Sequence, residues 1–260
     1  MRRAVSIIAL FCFLSSKVLA AEPIVETIAK IKPAIVGVGI FTANEHPQNK
    51  LYGTGFVIGN GKYIVTNYHV LPPKDKLQNN QTQVVFSGTG KLSRVHKVKL
   101  VAESQTYDLA VLELLEFSLP ALKLAPEPFI PEGSKIAFTG FPIGAVLGLY
   151  PVTHQGFISS ITPVIVPAGS TNQLTAEMIK TLKDPYLVYQ LDAIAYPGNS
   201  GSPVYSADSG EVIAVINKTF IQQSKEAALS NPSGITYAIP VKYLHQLLQT
   251  NGIEVVISKQ

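Results

Sequence analysis

Pro197-Gly198-Asn199-Ser200-Gly201-Ser202-Pro203 is the run that decides how this chain is read. It sets a serine between glycines in a tight turn, where backbone N–H groups can converge on one point. A serine that attacks a carbonyl needs that arrangement: a hydroxyl held out on a turn, and N–H donors waiting where negative charge will develop. Gly198 and Gly201 open backbone conformations closed to other residues. The expected donors are the N–H groups of Gly198 and Ser200, with Asn199 shaping the turn of this oxyanion hole.

A serine hydroxyl is a weak nucleophile at neutral pH. It needs a base within hydrogen-bond reach and an anion that orients the base. Two upstream stretches supply candidates. Ile64-Val65-Thr66-Asn67-Tyr68-His69-Val70 places His69 just after an apolar strand. Tyr107-Asp108-Leu109-Ala110-Val111-Leu112 places Asp108 just before one. His69, Asp108 and Ser200 are therefore the candidate catalytic residues. The remaining histidines of the chain, His46, His96, His154 and His245, have no companion motif and read as polar loop or surface positions. Asp192, eight residues before Ser200, is the rival carboxylate and reads as a structural part of the active-site loop. The pattern calls for no metal and no cofactor.

The N-terminus reads as a secretory signal over residues 1–20. Arg2 and Arg3 precede a short apolar run, and Val18-Leu19-Ala20 offers small residues for cleavage before Ala21. No other stretch is apolar for long enough to span a bilayer. The one cysteine, Cys12, falls inside this segment, so the expected mature chain has no disulfide, as suits a bacterial-type export product. The expected location is the periplasm or the extracellular medium. Lys and Arg number 21 against 17 Asp and Glu. Taking away Arg2, Arg3 and Lys17 leaves 18 against 17, so the basicity belongs mostly to the signal and nothing marks a nucleic-acid partner.

The mature part carries many Gly and Pro between short Val/Ile-rich runs, which suits an all-β sandwich or barrel. Strands are expected over 34–42, 51–58, 62–66, 82–86, 92–101, 109–113, around Lys123, and over 135–139, 153–161, 187–191, 203–205, 212–217 and 235–238. Residues 44–50 read as a loop, and Gly59-Asn60-Gly61 as a hairpin. The proline-bearing stretch 125–133 reads as the connection between two similar β halves, about 34–125 and about 133–240. A short N-terminal helix is expected where apolar residues fall at 24, 25, 28 and 31 between Pro23 and Pro33, and a C-terminal helix over 241–250 ahead of Gly252. The segment 167–185 interrupts the strands and reads as a loop with a short helix, either a surface insertion or a functional flap.

With these motifs in place the chain resembles the trypsin-like, chymotrypsin-fold serine proteases over nearly the whole of its mature length. Within them it is most similar to the HtrA/Deg type of bacterial envelope protease. The motifs that carry the resemblance are Gly53-Thr54-Gly55-Phe56, Thr66-Asn67-Tyr68-His69-Val70, Tyr107-Asp108-Leu109-Ala110-Val111-Leu112, Gly140-Phe141-Pro142-Ile143-Gly144, Gly198-Asn199-Ser200-Gly201 and Gly234-Ile235-Thr236-Tyr237-Ala238-Ile239-Pro240. The resemblance implies an all-β fold of two antiparallel six-stranded barrels, with His69, Asp108 and Ser200 at their interface. It also implies peptide-bond hydrolysis through an acyl-enzyme, with polypeptides, unfolded proteins among them, as substrates. HtrA proteins usually carry C-terminal PDZ modules, whereas this chain ends about twenty residues after Ala238-Ile239-Pro240, so regulation through such a module is not expected, and the oligomeric state is left open.

The resemblance also places a primary specificity pocket near Ile194 and along Val215, Ile216, Asn217 and Lys218. Ile194 stands where an aspartate would attract Lys or Arg, so an apolar floor selecting a small or medium aliphatic side chain is expected. Asn217 stands where a glutamyl endopeptidase, the alternative subfamily, would be expected to carry histidine. Asn199 stands where trypsin-type zymogens place an aspartate that pairs with a new N-terminus, so no proteolytic activation beyond signal removal is expected. A different class also stays open: a protease-like scaffold that binds polypeptide with little turnover.

Overall fold

The computed structural model describes residues 23–73, 77–126, 128–142, 148–164, 183–217 and 235–255. Among the described residues twelve strands close into two antiparallel barrels. The first comprises β1 (Ile35–Thr42), β2 (Asn49–Ile58), β3 (Tyr63–Thr66), β4 (Gln81–Ser87), β5 (Arg94–Ser104) and β6 (Leu109–Leu114). The second comprises β7 (Lys135–Gly140), β8 (Val152–Pro163), β9 (Leu187–Asp192), β10 (Pro203–Ser206), β11 (Val212–Asn217) and β12 (Ile235–Pro240). Neighbours run β1-β2-β3-β6-β5-β4 in one and β7-β8-β9-β12-β11-β10 in the other. The two halves thus repeat one strand order, and closure leaves neither sheet with a free edge.

The strands form where β-branched and aromatic residues cluster between turn residues. β1 is buried along almost all of its length. Strands this apolar need cover on both faces, which a closed barrel packed against a second barrel provides. Phe56, Ile58, Ile64, Leu109 and Leu112 lie in the core of the first barrel, and Ile136, Phe138, Ile158, Tyr189 and Tyr205 in that of the second. Full burial of each such side chain is worth about 1.5–3 kcal/mol.

Helix α1 (Pro23–Ile31) starts on a proline, and Pro33 turns its end into a short 3-10 segment. Helix α2 (Val241–Thr250) buries Val241, Tyr243, Leu244, Leu247 and Leu248. It ends at Gly252 (φ 65°), where Ile253 N–H reaches back to the Leu248 carbonyl.

Several details differ from the sequence expectations. No strand forms around Lys123. Leu122 and Leu124 make single bridges to Ile58 and Val212, one in each barrel, because Pro120 and Pro126 lack the N–H groups that would extend a ladder. β2 begins at Asn49, inside the expected loop 44–50, since Phe41 and Ile40 pair with Asn49 and Lys50. The hairpin at Gly59-Asn60-Gly61 is present, with Lys62 N–H donating to Asn60 Oδ1 at 3.1 Å. The expected insertion at 167–185 lies almost wholly outside the described residues.

Candidate active site

The site is built where three short segments meet. β3 ends at Thr66, and residues 68–70 then form a single 3-10 turn that carries His69. The first barrel's β5–β6 connection carries Asp108. The turn before β10 carries Ser200.

Asp108 sits in the left-handed region at φ 51°, which costs a non-glycine residue roughly 1–2 kcal/mol. Its surroundings hold it there. Its N–H donates to the Gln105 carbonyl at 3.2 Å, and its own carbonyl accepts from Tyr68 N–H at 3.2 Å and Asn67 Nδ2 at 3.0 Å. These contacts turn the carboxylate toward the histidine. Oδ1 accepts from the His69 backbone N–H at 2.9 Å, and Oδ2 lies 2.6 Å from His69 Nδ1. Both the backbone and the ring of His69 are therefore fixed by one carboxylate. The side chain of Asp108 is 15% exposed and that of His69 34%, which leaves the ring's far edge accessible.

Ser200 is nearly buried, at 7% exposure. Two close approaches bring its turn against the histidine segment. A Cβ on Gly53 would lie 2.7 Å from Val70 and 2.9 Å from the Ser200 carbonyl, so Gly53 is wedged between the neighbour of the histidine and the serine itself. Gly201, at φ +85°, abuts the Thr54 carbonyl, with the position of a Cβ 3.2 Å from Asn67 N. Only glycine fits there.

The backbone of this turn separates into spent and unspent donors. Asn199 N–H donates to the Tyr196 carbonyl at 3.0 Å, Gly201 N–H to Ile216 at 3.1 Å, and Ser202 N–H to Asn199 at 3.0 Å. Among the described residues the N–H groups of Gly198 and Ser200 find no acceptor. Those are the two expected oxyanion donors; Asn199, by contrast, spends its N–H inside the turn. Its side chain is fully buried, and its amide has no hydrogen-bond partner among the described residues.

One residue that sequence reasoning left inside a motif ties the turn to the first barrel. Thr54, fully buried on β2, donates from Oγ1 to the Gly198 carbonyl at 2.8 Å and accepts there from Phe141 N–H at 3.0 Å. Its backbone N–H donates to the Ser200 carbonyl at 2.9 Å, and its carbonyl accepts from Thr66 Oγ1 at 2.7 Å. Thr54 thus joins the serine turn, the end of β7 and the strand leading to His69. The signal was its place between Gly53 and Gly55 in a buried strand.

The described pocket candidates lie on β11 and in the segment that follows β9. Val215, Ile216 and Asn217 lie buried on β11, and Ile216 is bonded both ways to the serine turn through Gly201 and Ser202. Ile194 is 36% exposed, in a segment held by Thr236, whose hydroxyl donates to the Ala193 carbonyl at 2.6 Å and accepts from Ala195 N–H at 3.0 Å. Lys218 lies outside the described residues. Asp192 is exposed at the end of β9, paired with Phe157 and Ile235.

The other histidines are not all loop or surface positions. Only His46 is exposed in a loop. His96 on β5 shares a hydrogen bond with Ser87 Oγ at 2.7 Å, and His245 on α2 meets the Ala125 carbonyl at 2.9 Å. His154 on β8 stacks on Phe138 (4.8 Å, 20°) and approaches Tyr196 (5.9 Å); burial pushes its pKa down. Its alternate neighbours Thr153 and Gln155 are polar, but its cross-strand partner is the core residue Phe138. Among the described residues no cluster of His, Cys, Asp or Glu is arranged to hold a metal ion.

Residues 53–215 match the family described as trypsin-like peptidase domain. The chain is 29% identical over 194 residues to a protein of Halomonas elongata named "Probable periplasmic serine endoprotease DegP-like", covering 75% of this chain and 34% of that protein. It is 27% identical to "Serine protease Do-like HtrB" of Bacillus subtilis, covering 93% of this chain and 51% of the relative. It therefore spans between a third and about half of the length of these relatives. Among solved structures it resembles Deg5, with a TM-score of 0.60 at 22% identity over 86% of this chain and 91% of that one. It also resembles a serine endoprotease from Yersinia pestis, at TM-score 0.60 and 22% identity over 88% of this chain and 66% of that one. These likenesses agree with the two-barrel fold.

Proposed function

Since the chain belongs to the family of trypsin-like peptidase domains, we propose that it is a serine endopeptidase in which Ser200 is the nucleophile, His69 the general base and acid, and Asp108 the orienting anion. The observation that carries this reading is the two-point hold of one carboxylate on His69, at ring and backbone, beside a serine turn with two unspent N–H donors.

The chemistry follows from that geometry. His69 Nδ1–H donates to Asp108 Oδ2, which leaves Nε2 as the basic atom. Nε2 takes the Ser200 hydroxyl proton as Oγ attacks the carbonyl carbon of a peptide. The N–H groups of Gly198 and Ser200 receive the developing oxyanion; loss of one such donor costs about a hundredfold or more in rate. The imidazolium then gives its proton to the leaving amine nitrogen, and the C–N bond breaks to leave an acyl ester on Ser200. Water, deprotonated by the same nitrogen, hydrolyses the ester and restores the hydroxyl. Asp108 stays ionised throughout and stabilises the transient imidazolium.

The finer reading is an exported enzyme, in the periplasm or outside the cell, that degrades unfolded polypeptides in protein quality control or extracellular turnover. The word periplasmic in the names of its DegP-like relatives and the N-terminal pattern of the sequence support export, and the resemblance to the HtrA/Deg type supports the choice of substrate. Cleavage after small or medium aliphatic residues is supported by the apolar character of Ile194, Val215 and Ile216, the last of which is bonded through its backbone to the serine turn. Digestion of a proteome-derived peptide library by the chain lacking residues 1–20 tests both points. Cuts after Val, Ala or Leu that vanish in Ser200→Ala are expected. Equal digestion by Ser200→Ala would overturn the assignment, and cuts confined to Glu would replace the pocket reading with that of a glutamyl endopeptidase.

A further inference from the structure

Three tyrosines from distant parts of the chain meet beside the turn that carries Asp108. Tyr107 immediately precedes Asp108. Its ring stacks on Tyr243 of α2 (4.4 Å, 24°) and meets the edge of Tyr186 (5.0 Å, 83°). Tyr186 and Tyr243 also touch edge to face (5.3 Å, 71°), and the Tyr243 hydroxyl accepts from Leu187 N–H at 3.1 Å. Burial raises the Tyr186 phenol, and the negative charge of Asp108 raises it further.

This contact has a mechanical consequence. His69 and Asp108 belong to the first barrel, whereas Ser200 belongs to the second. Hydrogen bonds with Gln105, Asn67, Tyr68 and His69 of the first barrel help to hold Asp108 in its left-handed conformation. The Tyr107–Tyr243 stack joins that turn to the helix that follows the second barrel, and the Tyr243 hydroxyl joins the same helix to the entry of β9. Offset aromatic pairs resist sliding because their quadrupoles favour one geometry, and small misplacement of a catalytic group costs rate steeply. We propose that Tyr243, through its stack on Tyr107, is a positioning residue that registers the Asp108–His69 pair against the half of the molecule bearing Ser200. The proposal rests on the reading of those three residues as the reactive set.

The test uses the chain lacking residues 1–20 and two readouts. One is kcat and KM on a peptide substrate. The other is the strongly downfield proton expected in the proton NMR spectrum for the short His69 Nδ1–H···Asp108 hydrogen bond, which requires no turnover. Tyr243→Leu is expected to lower kcat about tenfold with KM changed less than about twofold, and to weaken or broaden the downfield proton. Tyr243→Phe keeps the ring and is expected to restore both. Leu247→Ala loosens the same helix without removing an aromatic ring and is expected to lower the melting temperature without moving either readout. Should Tyr243→Leu not fold, Tyr107→Leu carries the test from the other side of the stack, with the same expected losses. Unchanged kcat and an unchanged downfield proton in a folded Leu variant would overturn the proposal. So would Leu247→Ala matching Tyr243→Leu in both readouts. A wild-type chain that turns over no peptide but loses the proton signal in Tyr243→Leu would sink the endopeptidase reading and leave the positioning role standing.

Discussion

Replacing Thr54 by valine removes one hydroxyl and almost no volume, and it strikes the joint between the barrels. Thr54 Oγ1 donates to the Gly198 carbonyl at 2.8 Å and accepts from Phe141 N–H at 3.0 Å, in a position with no solvent exposure. Valine satisfies neither group, and water has little access to replace it. Leaving a buried donor or acceptor unpaired costs about 1–3 kcal/mol, so the pair should cost about 2–6 kcal/mol. For a chain of this size a loss near 3 kcal/mol lowers the melting temperature by about 6–12 °C. Thr54→Ser keeps both hydrogen bonds and gives up one methyl group, worth about 1 kcal/mol. The functional effect has its own direction. The freed Gly198 carbonyl loosens the turn whose N–H groups receive the oxyanion, so the rate of acylation should fall by about tenfold or more, short of the full loss of a donor. Urea denaturation followed by circular dichroism measures the first effect, and the rate of reaction with a labelled fluorophosphonate the second. A Val variant as stable as the Ser variant would refute the hydrogen-bond account. One that loses stability while reacting at the wild-type rate would refute the link to the oxyanion turn.

Gly201→Ala forces a Cβ into the Thr54 carbonyl at φ +85°; strain and overpacking together should cost about 2–5 kcal/mol, read as a lower urea midpoint, and a neutral result would mean the turn is not held as described. Burial disfavours the charged form of His154 in the folded chain, so its folded pKa lies below its unfolded value of 6.5. The unfolded chain then binds the extra proton first, and the contribution of His154 to stability is present above pH 6.5 and lost as pH falls toward the folded pKa. His154→Gln should flatten that part of the stability-against-pH curve, and an identical slope in the variant would contradict the burial argument. The phenols of Tyr186, Tyr189, Tyr205 and Tyr243 are all raised, chiefly by burial, that of Tyr189 to about 12. A spectrophotometric titration should show these four phenols ionising at higher pH in the folded chain than after unfolding, and stability should fall as the pH rises above 10; folded and unfolded titrations that coincide would contradict the burial argument.

The serine turn was legible because its constraint is local: glycine on both sides of a serine says nearly everything about the backbone there. The strands were legible wherever β-branched runs stood between glycines and prolines, and α2 because its apolar spacing ended on Gly252. What escaped was set by contacts across the chain. The hydrogen bond from Thr54 spans 144 residues, and nothing near position 54 announces its partner. Tyr107, Tyr186 and Tyr243 look like ordinary aromatic residues until folding stacks them. His154 read as a surface residue because polar neighbours flank it in sequence, while the phenylalanine that covers it lies across a strand pair. The strand expected around Lys123 is reduced to two single bridges at Leu122 and Leu124, between prolines at 120 and 126.

In the proposed mechanism one oxygen, that of Ser200, is made reactive by the His69 imidazole. Labelling of the chain lacking residues 1–20 with a fluorophosphonate, followed by mass spectrometry of the digested protein, reads that oxygen directly. One adduct per chain, located on Ser200 and absent from His69→Ala, is the expected result. Labelling spread over several serines, or undiminished when the ring of His69 is removed, would contradict it.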